Sequence, residues 1–249
     1  MSELKTFALV PGFCHGAWHM SLLEAELNNA GHNTLTFDLP LEDPSVSFDD
    51  HASIIADDIE GHENVIGVFH SRAGNYGPRA INMLQDRNPG KLAVERMVFL
   101  CASFEPATLH AIGRPLPSEI VPPRNTPESR LAIVARPDLG DDIMQFDPAL
   151  VRKFLYQDIE DSELVAQAIS KLRPQNRPSS EPLMTHWPDL PQDYIIARKD
   201  QMVRPAWSRY ICHNWLKVKP IYIPGGHSPF LSRPALLADL LIDVANTGA

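Results

Sequence analysis

The sequence predicts an α/β fold: a mainly parallel sheet of about six strands flanked by helices, with a helical cap inserted after the fourth strand. Three observations predict it. Short apolar runs alternate with helical patterns along most of the chain. That alternation halts between Pro106 and Pro191, a stretch holding 13 of the 23 prolines. Proline fixes φ and removes a backbone donor, so this stretch is poor material for a central sheet. Finally, 249 residues with 44% hydrophobic and 21% charged composition are enough to bury one large core carrying an insertion.

Each element has its own reason. Phe7-Ala8-Leu9-Val10 is a short apolar strand stopped by Pro11-Gly12. Trp18, Leu22 and Ala25, then Leu23, Leu27 and Ala30, recur at helical spacing, and Gly31 suits the position just past the helix end. Thr34 to Phe37 reads as the second strand, and Phe48 to Ile59 as a helix. Val65 to Phe69 is the third strand, Gly74 to Asp86 the helix after it, and Met97 to Ala102 the fourth strand. Inside the proline-rich insertion, Leu164, Ala168 and Leu172 recur every four residues behind Asp161. Tyr194 to Ala197 is the fifth strand, Pro205 to Leu216 a helix, and Ile221 to Ile223 the sixth strand. Pro234 to Val244 closes the chain as a helix, with Leu236, Leu237, Leu240 and Leu241 on its apolar face. Strands alternating with helices require right-handed crossovers and a sheet covered on both faces. The expected division is a core of 1–104 and 186–249 and a cap of 105–185. The cap is expected over the C-terminal strand ends, where open parallel sheets bind ligands.

Charge and composition exclude several classes. The formal charge is 22 − 31 = −9, so the basic footprint that phosphate backbones demand is missing and no nucleic-acid partner is expected. No apolar run approaches the roughly 18 residues that span a bilayer. Met1 to Thr6 has no basic leader before a long apolar stretch, so a cytoplasmic location is expected and no membrane partner. Three cysteines, Cys14, Cys101 and Cys212, are an odd number without ligand spacing. They suit a reducing compartment and small buried hydrophobes rather than a disulfide framework or a metal site.

The chemistry concentrates at three strand ends. The third strand runs into His70-Ser71-Arg72-Ala73-Gly74 and a helix. A serine at a sharp strand-to-helix turn is lifted above the sheet, with the next backbone N–H aimed at the same place. The usual pattern is G-x-S-x-G; here Phe69 and Ala73 replace both glycines. A serine at a helix start is also the ordinary N-cap, so Ser71 needs partners to be read as a nucleophile. Asp200 lies just past the fifth strand and His227 just past the sixth. A lone loop Asp or His is an ordinary turn residue. Together, in the order Ser71, Asp200, His227, they make a candidate nucleophile, acid and base. Glu105, after the fourth strand, is the reserve acid. The loop after the first strand supplies Phe13, whose backbone N–H pairs with that of Arg72 as a candidate oxyanion hole, and Gly12 lets that loop turn in close. Candidate substrate-lining residues are Gly12, His15, Ser103, Phe104, Phe154, Tyr156 and Ser228, with Leu109, Ile112, Ile133, Met144 and Phe146 divided between pocket wall and core. His15 and His70 flank the site as packing groups, and His19 is a further candidate for the pocket lining.

At these residues the chain resembles the small esterases of the α/β-hydrolase superfamily related to plant methylesterases and hydroxynitrile lyases. Pro11-Gly12-Phe13-Cys14-His15-Gly16-Ala17-Trp18 is similar to that group's H-G-A-C-H-G-A-W. His70-Ser71-Arg72-Ala73-Gly74 resembles its H-S-x-G-G, and Gly225-Gly226-His227-Ser228-Pro229-Phe230 its C-terminal histidine loop. Tyr156, Leu172-Arg173-Pro174-Gln175 and the helix of the 230s look like bacterial members. The resemblance spans nearly the whole chain. It implies the α/β-hydrolase fold, Ser71 as nucleophile, His227 as base, Asp200 as acid, and Phe13 and Arg72 as oxyanion donors. It implies no cofactor and no metal, a small-molecule ester substrate, and a homodimer. There are departures. Phe69 stands where the elbow has glycine, and Pro11 where the family often has histidine. Hydroxynitrile lyases carry a lysine just after the catalytic histidine and a threonine in the first loop; here Ser228 and Gly12 stand there, which favours ester hydrolysis over cyanohydrin cleavage. Lyase or lactonase chemistry on the same triad stays an alternative. So does a slow, ligand-binding relative, motivated by Phe69.

Overall fold

The computed structural model describes residues 3–90, 93–113, 121–176, 184 and 186–247. The chain opens with β1 (Thr6–Val10), α1 (Ser21–Asn29), β2 (Asn33–Thr36), α2 (Phe48–Ile59), β3 (Val65–His70), α3 (Ala73–Arg87) and β4 (Val94–Leu100). An inserted segment follows: α4 (Pro106–His110), α5 (Pro127–Leu131), β5 (Ile133–Ala135), β6 (Ile143–Phe146), α6 (Pro148–Phe154), α7 (Ser162–Ser170) and β7 (Gln175–Asn176). The alternation resumes with β8 (Gln192–Ala197), α8 (Pro205–Ile211), β9 (Ile221–Ile223), α9 (Pro229–Ser232) and α10 (Pro234–Asn246). Among these helices none is long and apolar enough to cross a membrane.

All six strands expected from the sequence form one parallel sheet in the order β2-β1-β3-β4-β8-β9. Every residue of β1 and β3 is buried, as a sheet covered on both faces requires. The helix ends follow local rules. After α1, Gly31 takes φ +89°, and the N–H groups of Gly31 and His32 close back on the carbonyls of Asn28 and Leu27 at 3.0 and 3.1 Å, the paired bonds of a glycine stop. Ser47 caps α2 by accepting from the Asp50 N–H at 3.1 Å while Asp50 reaches back to the Ser47 N–H at 2.8 Å.

Burial selects between overlapping apolar stripes. In α1, Leu23 and Leu27 are buried and Leu22 is exposed. In α10, Leu237 and Leu241 face the core and Leu236 does not. Adjacent residues on a helix point about 100° apart, so only one stripe meets the sheet. The Pro205 to Leu216 helix changes pitch: α8 ends at Ile211 and a π turn carries Cys212–Leu216.

The described part of the insertion holds helices, as expected, and also a small antiparallel sheet in the order β5-β6-β7, which the proline-rich pattern concealed. Its strands have only two to four residues, too short for a period-2 alternation to be legible. The proposed cap boundary at residue 185 lies outside the described residues.

Strand register brings the chemistry together. Val10 pairs with Phe69, and His70 with Leu100, so the loop after β1 lies beside the turn after β3. β1 sits between β2 and β3, where the strand order reverses direction. That reversal opens a crevice at the carboxyl ends of the strands.

Candidate active site

Ser71 adopts φ +52°, a left-handed conformation that costs an L-residue on the order of 1 kcal/mol or more. Three backbone hydrogen bonds hold it there. Its N–H donates to Leu100 at 3.1 Å, and its carbonyl accepts from Gly74 at 3.1 Å and Ser103 at 2.8 Å. Phe69, which replaces the pattern's first glycine, is accommodated by two other glycines. A Cβ on Gly67 would lie 2.6 Å from the Phe69 ring, and one on Gly77 of α3 would lie 2.3 Å from it. The aromatic ring, fully buried, fills space that both neighbours leave by having no side chain. The bulk at the elbow is therefore absorbed behind the turn.

Asp200 lies three residues beyond β8 and His227 four beyond β9. His227 Nδ1 donates to Asp200 Oδ2 at 2.8 Å, and its Nε2 is 3.1 Å from Ser71 Oγ. The other oxygen of Asp200 accepts from the N–H groups of Met202 at 2.8 Å and Val203 at 2.9 Å, which fixes the carboxylate plane. His70 Nε2 donates to the His227 carbonyl at 3.0 Å, tying the strand that leads into Ser71 to the His227 loop. Glu105 is 3.3 Å from Arg124 instead, so the structure brings Asp200, not Glu105, to the imidazole.

The loop after β1 packs directly on the elbow. A Cβ on Gly12 would stand 2.7 Å from Ser71 Cβ and 2.8 Å from His70 Nδ1, so only glycine permits this approach. Tyr76 of α3 donates to the Pro11 carbonyl at 3.0 Å, and the Cys14 N–H donates to Gln175 Oε1 at 2.8 Å. Phe13 and Arg72 line the same cavity as Ser71, a space of about 440 Å³. Ser103, Ile133, Met144 and Phe146 also line it, with Glu105, Arg124, Asn125 and Arg130.

The whole architecture now has a counterpart among known proteins. Residues 8–240 match the model of the alpha/beta hydrolase family. The chain belongs to the α/β-hydrolase family. Esterase PIR7B of Oryza sativa subsp. japonica is 25% identical to this hydrolase, covering 98% of this chain and 97% of that protein. Salicylic acid-binding protein 2 of Nicotiana tabacum is 26% identical over 99% of both. The crystal structure of polyneuridine aldehyde esterase superposes with a TM-score of 0.75 at 18% identity, covering 98% of this chain and 100% of that one.

Several expected pocket residues of this hydrolase lie elsewhere. Phe154 and Tyr156 are buried in the core and are absent from the cavity lining. Phe104 lines a second, apolar cavity of about 370 Å³ with Leu109, Trp207 and Trp215. Ser228 is fully buried, and its hydroxyl finds no hydrogen-bond partner among the described residues. His15 is buried in a polar chain: its Nδ1 donates to the Phe13 carbonyl at 2.7 Å, and its Nε2 accepts from the Tyr156 hydroxyl at 3.0 Å. His19 donates to the Ala168 carbonyl at 3.1 Å and accepts from the Gly16 N–H at 3.2 Å. Burial holds His15, His70 and His19 below the ordinary imidazole range, consistent with neutral rings whose partners suit one tautomer.

Cys101, Asp200 and His227 place potential metal-ligand atoms within 4.8 Å of one another. Two of the three already share a hydrogen bond. The Cys101 thiol is pushed well above its usual range by burial and then by the nearby Asp200 carboxylate, so it is held protonated and is a poor ligand. Sequence reasoning gave no site role to Asn75, Gln175, Arg124 or Arg130. Asn75 lies just past the quoted Ser71 motif and Gln175 within the quoted Leu172-Arg173-Pro174-Gln175, while Arg124 and Arg130 come from the insertion and carry no motif.

Proposed function

We propose that this hydrolase cleaves a small carboxylic ester through an acyl-enzyme on Ser71. One observation carries the reading: a hydroxyl, an imidazole and a carboxylate from three separate strand ends stand in hydrogen-bonded series at 3.1 and 2.8 Å. The esterase names of the relatives support the same class. Ser71 Oγ attacks the ester carbonyl while His227 Nε2 takes the hydroxyl proton. Asp200 keeps the imidazole in the tautomer that can accept it and stabilises the imidazolium. The N–H groups of Phe13 and Arg72 receive the oxyanion. Collapse of the tetrahedral intermediate expels the alcohol, which leaves with the proton from His227. Water then attacks the acyl-serine, His227 takes and returns one proton, and the carboxylic acid departs. No cofactor enters these steps.

The test is labelling by a fluorophosphonate probe together with turnover of a short nitrophenyl ester. Ser71→Ala is expected to abolish labelling and to lower turnover by about a thousandfold or more. Asp200→Asn is expected to cost far more activity than Glu105→Gln. Turnover that persists in Ser71→Ala overturns the reading, and cyanohydrin cleavage without ester cleavage replaces it with lyase chemistry.

A further inference from the structure

The cavity in front of Ser71 has the wrong charge for this chain. The protein carries −9 overall, yet the cavity wall holds Arg72, Arg124 and Arg130 against Glu105 alone, a balance of 3 − 1 = +2. Cationic walls around a concave, partly dry space focus field lines and concentrate anions. The three arginines are not equivalent. The Arg72 guanidinium lies over the rings of Phe48 and Phe13, 4.7 and 5.5 Å from their centroids. Arg124 is turned by the Phe104 carbonyl and by Glu105, both at 3.3 Å, so a carboxylate already offsets it. Arg130 is exposed on α5 and makes no ion pair within 4.0 Å among the described residues.

Its position is set by the scaffold. Thr126 and Ser129 cap α5 reciprocally at 3.0 Å. The Asn125 amide donates to the Met202 carbonyl at 2.6 Å, and the Met202 N–H is held by Asp200. The arginine-bearing segment is thus anchored to the loop that carries the candidate acid. The same cavity offers apolar surface from Ile133, Met144 and Phe146.

We propose that the ester cleaved here carries a second, anionic group, a carboxylate on a short aliphatic chain, which Arg130 binds. This rests on the ester-hydrolase reading above. A monoanion suits Arg130, because Glu105 offsets Arg124 and the Arg72 guanidinium is engaged over the rings of Phe48 and Phe13, and a guanidinium fork matches a carboxylate in geometry as well as charge.

The experiment compares kcat/KM for monomethyl adipate with that for dimethyl adipate, its neutral counterpart. A second arm compares acetoxyacetic acid with its methyl ester, so that a carboxylate in the acid half is distinguished from one in the alcohol half. The wild type is expected to favour the anion by about tenfold in one arm, the preference shrinking as salt rises. Arg130→Gln is expected to erase most of that ratio, and Arg130→Lys to restore part of it. Equal or better turnover of the neutral esters in both arms, or a ratio untouched by Arg130→Gln, overturns the anion preference and leaves ester hydrolysis standing. Absence of turnover for these esters and for a nitrophenyl ester alike overturns both.

Discussion

Phe69 shows how one residue can break a local pattern without breaking the turn it belongs to. The nucleophile pattern asks for a small residue there because the chain doubles back tightly. Here the missing volume is found two residues earlier at Gly67 and at Gly77, one turn into α3, where an added Cβ would run into the ring. Gly77→Ala is therefore expected to destabilise the fold by about 1–3 kcal/mol, measured by denaturant unfolding, because a fully buried ring cannot move aside. Combined with Phe69→Ala, it should cost less than the two single changes summed, since the methyl then enters the space the ring vacated. Strict additivity would show that Gly77 is not there for the ring.

At the scale of elements, α3 does more than follow Ser71. Its third residue, Asn75, fully buried, stands where the helix, the Ser71 turn and the start of the insertion meet. The amide donates to the carbonyls of Arg72 at 3.0 Å and Ser103 at 3.1 Å. Its oxygen accepts from the Glu105 N–H at 2.7 Å and the Thr108 hydroxyl at 2.9 Å. One side chain thereby staples the first turn of α3 to the segment after β4, including Ser103 on the cavity wall. Removing it takes a partner from four polar groups, of which the Arg72 carbonyl keeps the bond from the Asn75 backbone N–H at 3.0 Å. Asn75→Ala should cost about 2–4 kcal/mol in denaturant unfolding and lower ester turnover as well. A loss below about 1 kcal/mol would mean that water or neighbours replace the amide freely.

At the scale of the molecule, buried neutral imidazoles set an acid limit. Burial lowers His51 to about 4, with the Arg72 charge acting in the same direction. His15 and His70 are shifted the same way. Unfolded, each takes its proton near an ordinary value of about 6.5. Between that value and the folded one the unfolded chain binds more protons, so stability falls as pH falls. Above about 7 these groups contribute no pH dependence. The melting temperature is expected to be level between about pH 7 and 8 and to drop below about 6.5. The slope is on the order of 1 kcal/mol per pH unit for each such imidazole, until it protonates in the folded state. A melting temperature that stays constant down to about pH 5 would contradict it.

The sequence by itself determined the order of the six strands of the main sheet and of the helices between them, the boundaries of α2, the glycine stop after α1, and the three strand ends bearing Ser71, Asp200 and His227. These are local matters of apolar period, proline, glycine and chain order, which neighbouring residues settle among themselves. Only the tertiary structure decided which leucine stripe of α1 and α10 is buried and where Phe69 finds its volume. It alone placed Asp200 rather than Glu105 beside the imidazole, and withdrew Phe154 and Tyr156 from the cavity while bringing Arg130 to it. Each of those outcomes depends on atoms dozens of residues apart meeting across the sheet edge, and packing and hydrogen bonding at such distances leave no periodic trace in the chain.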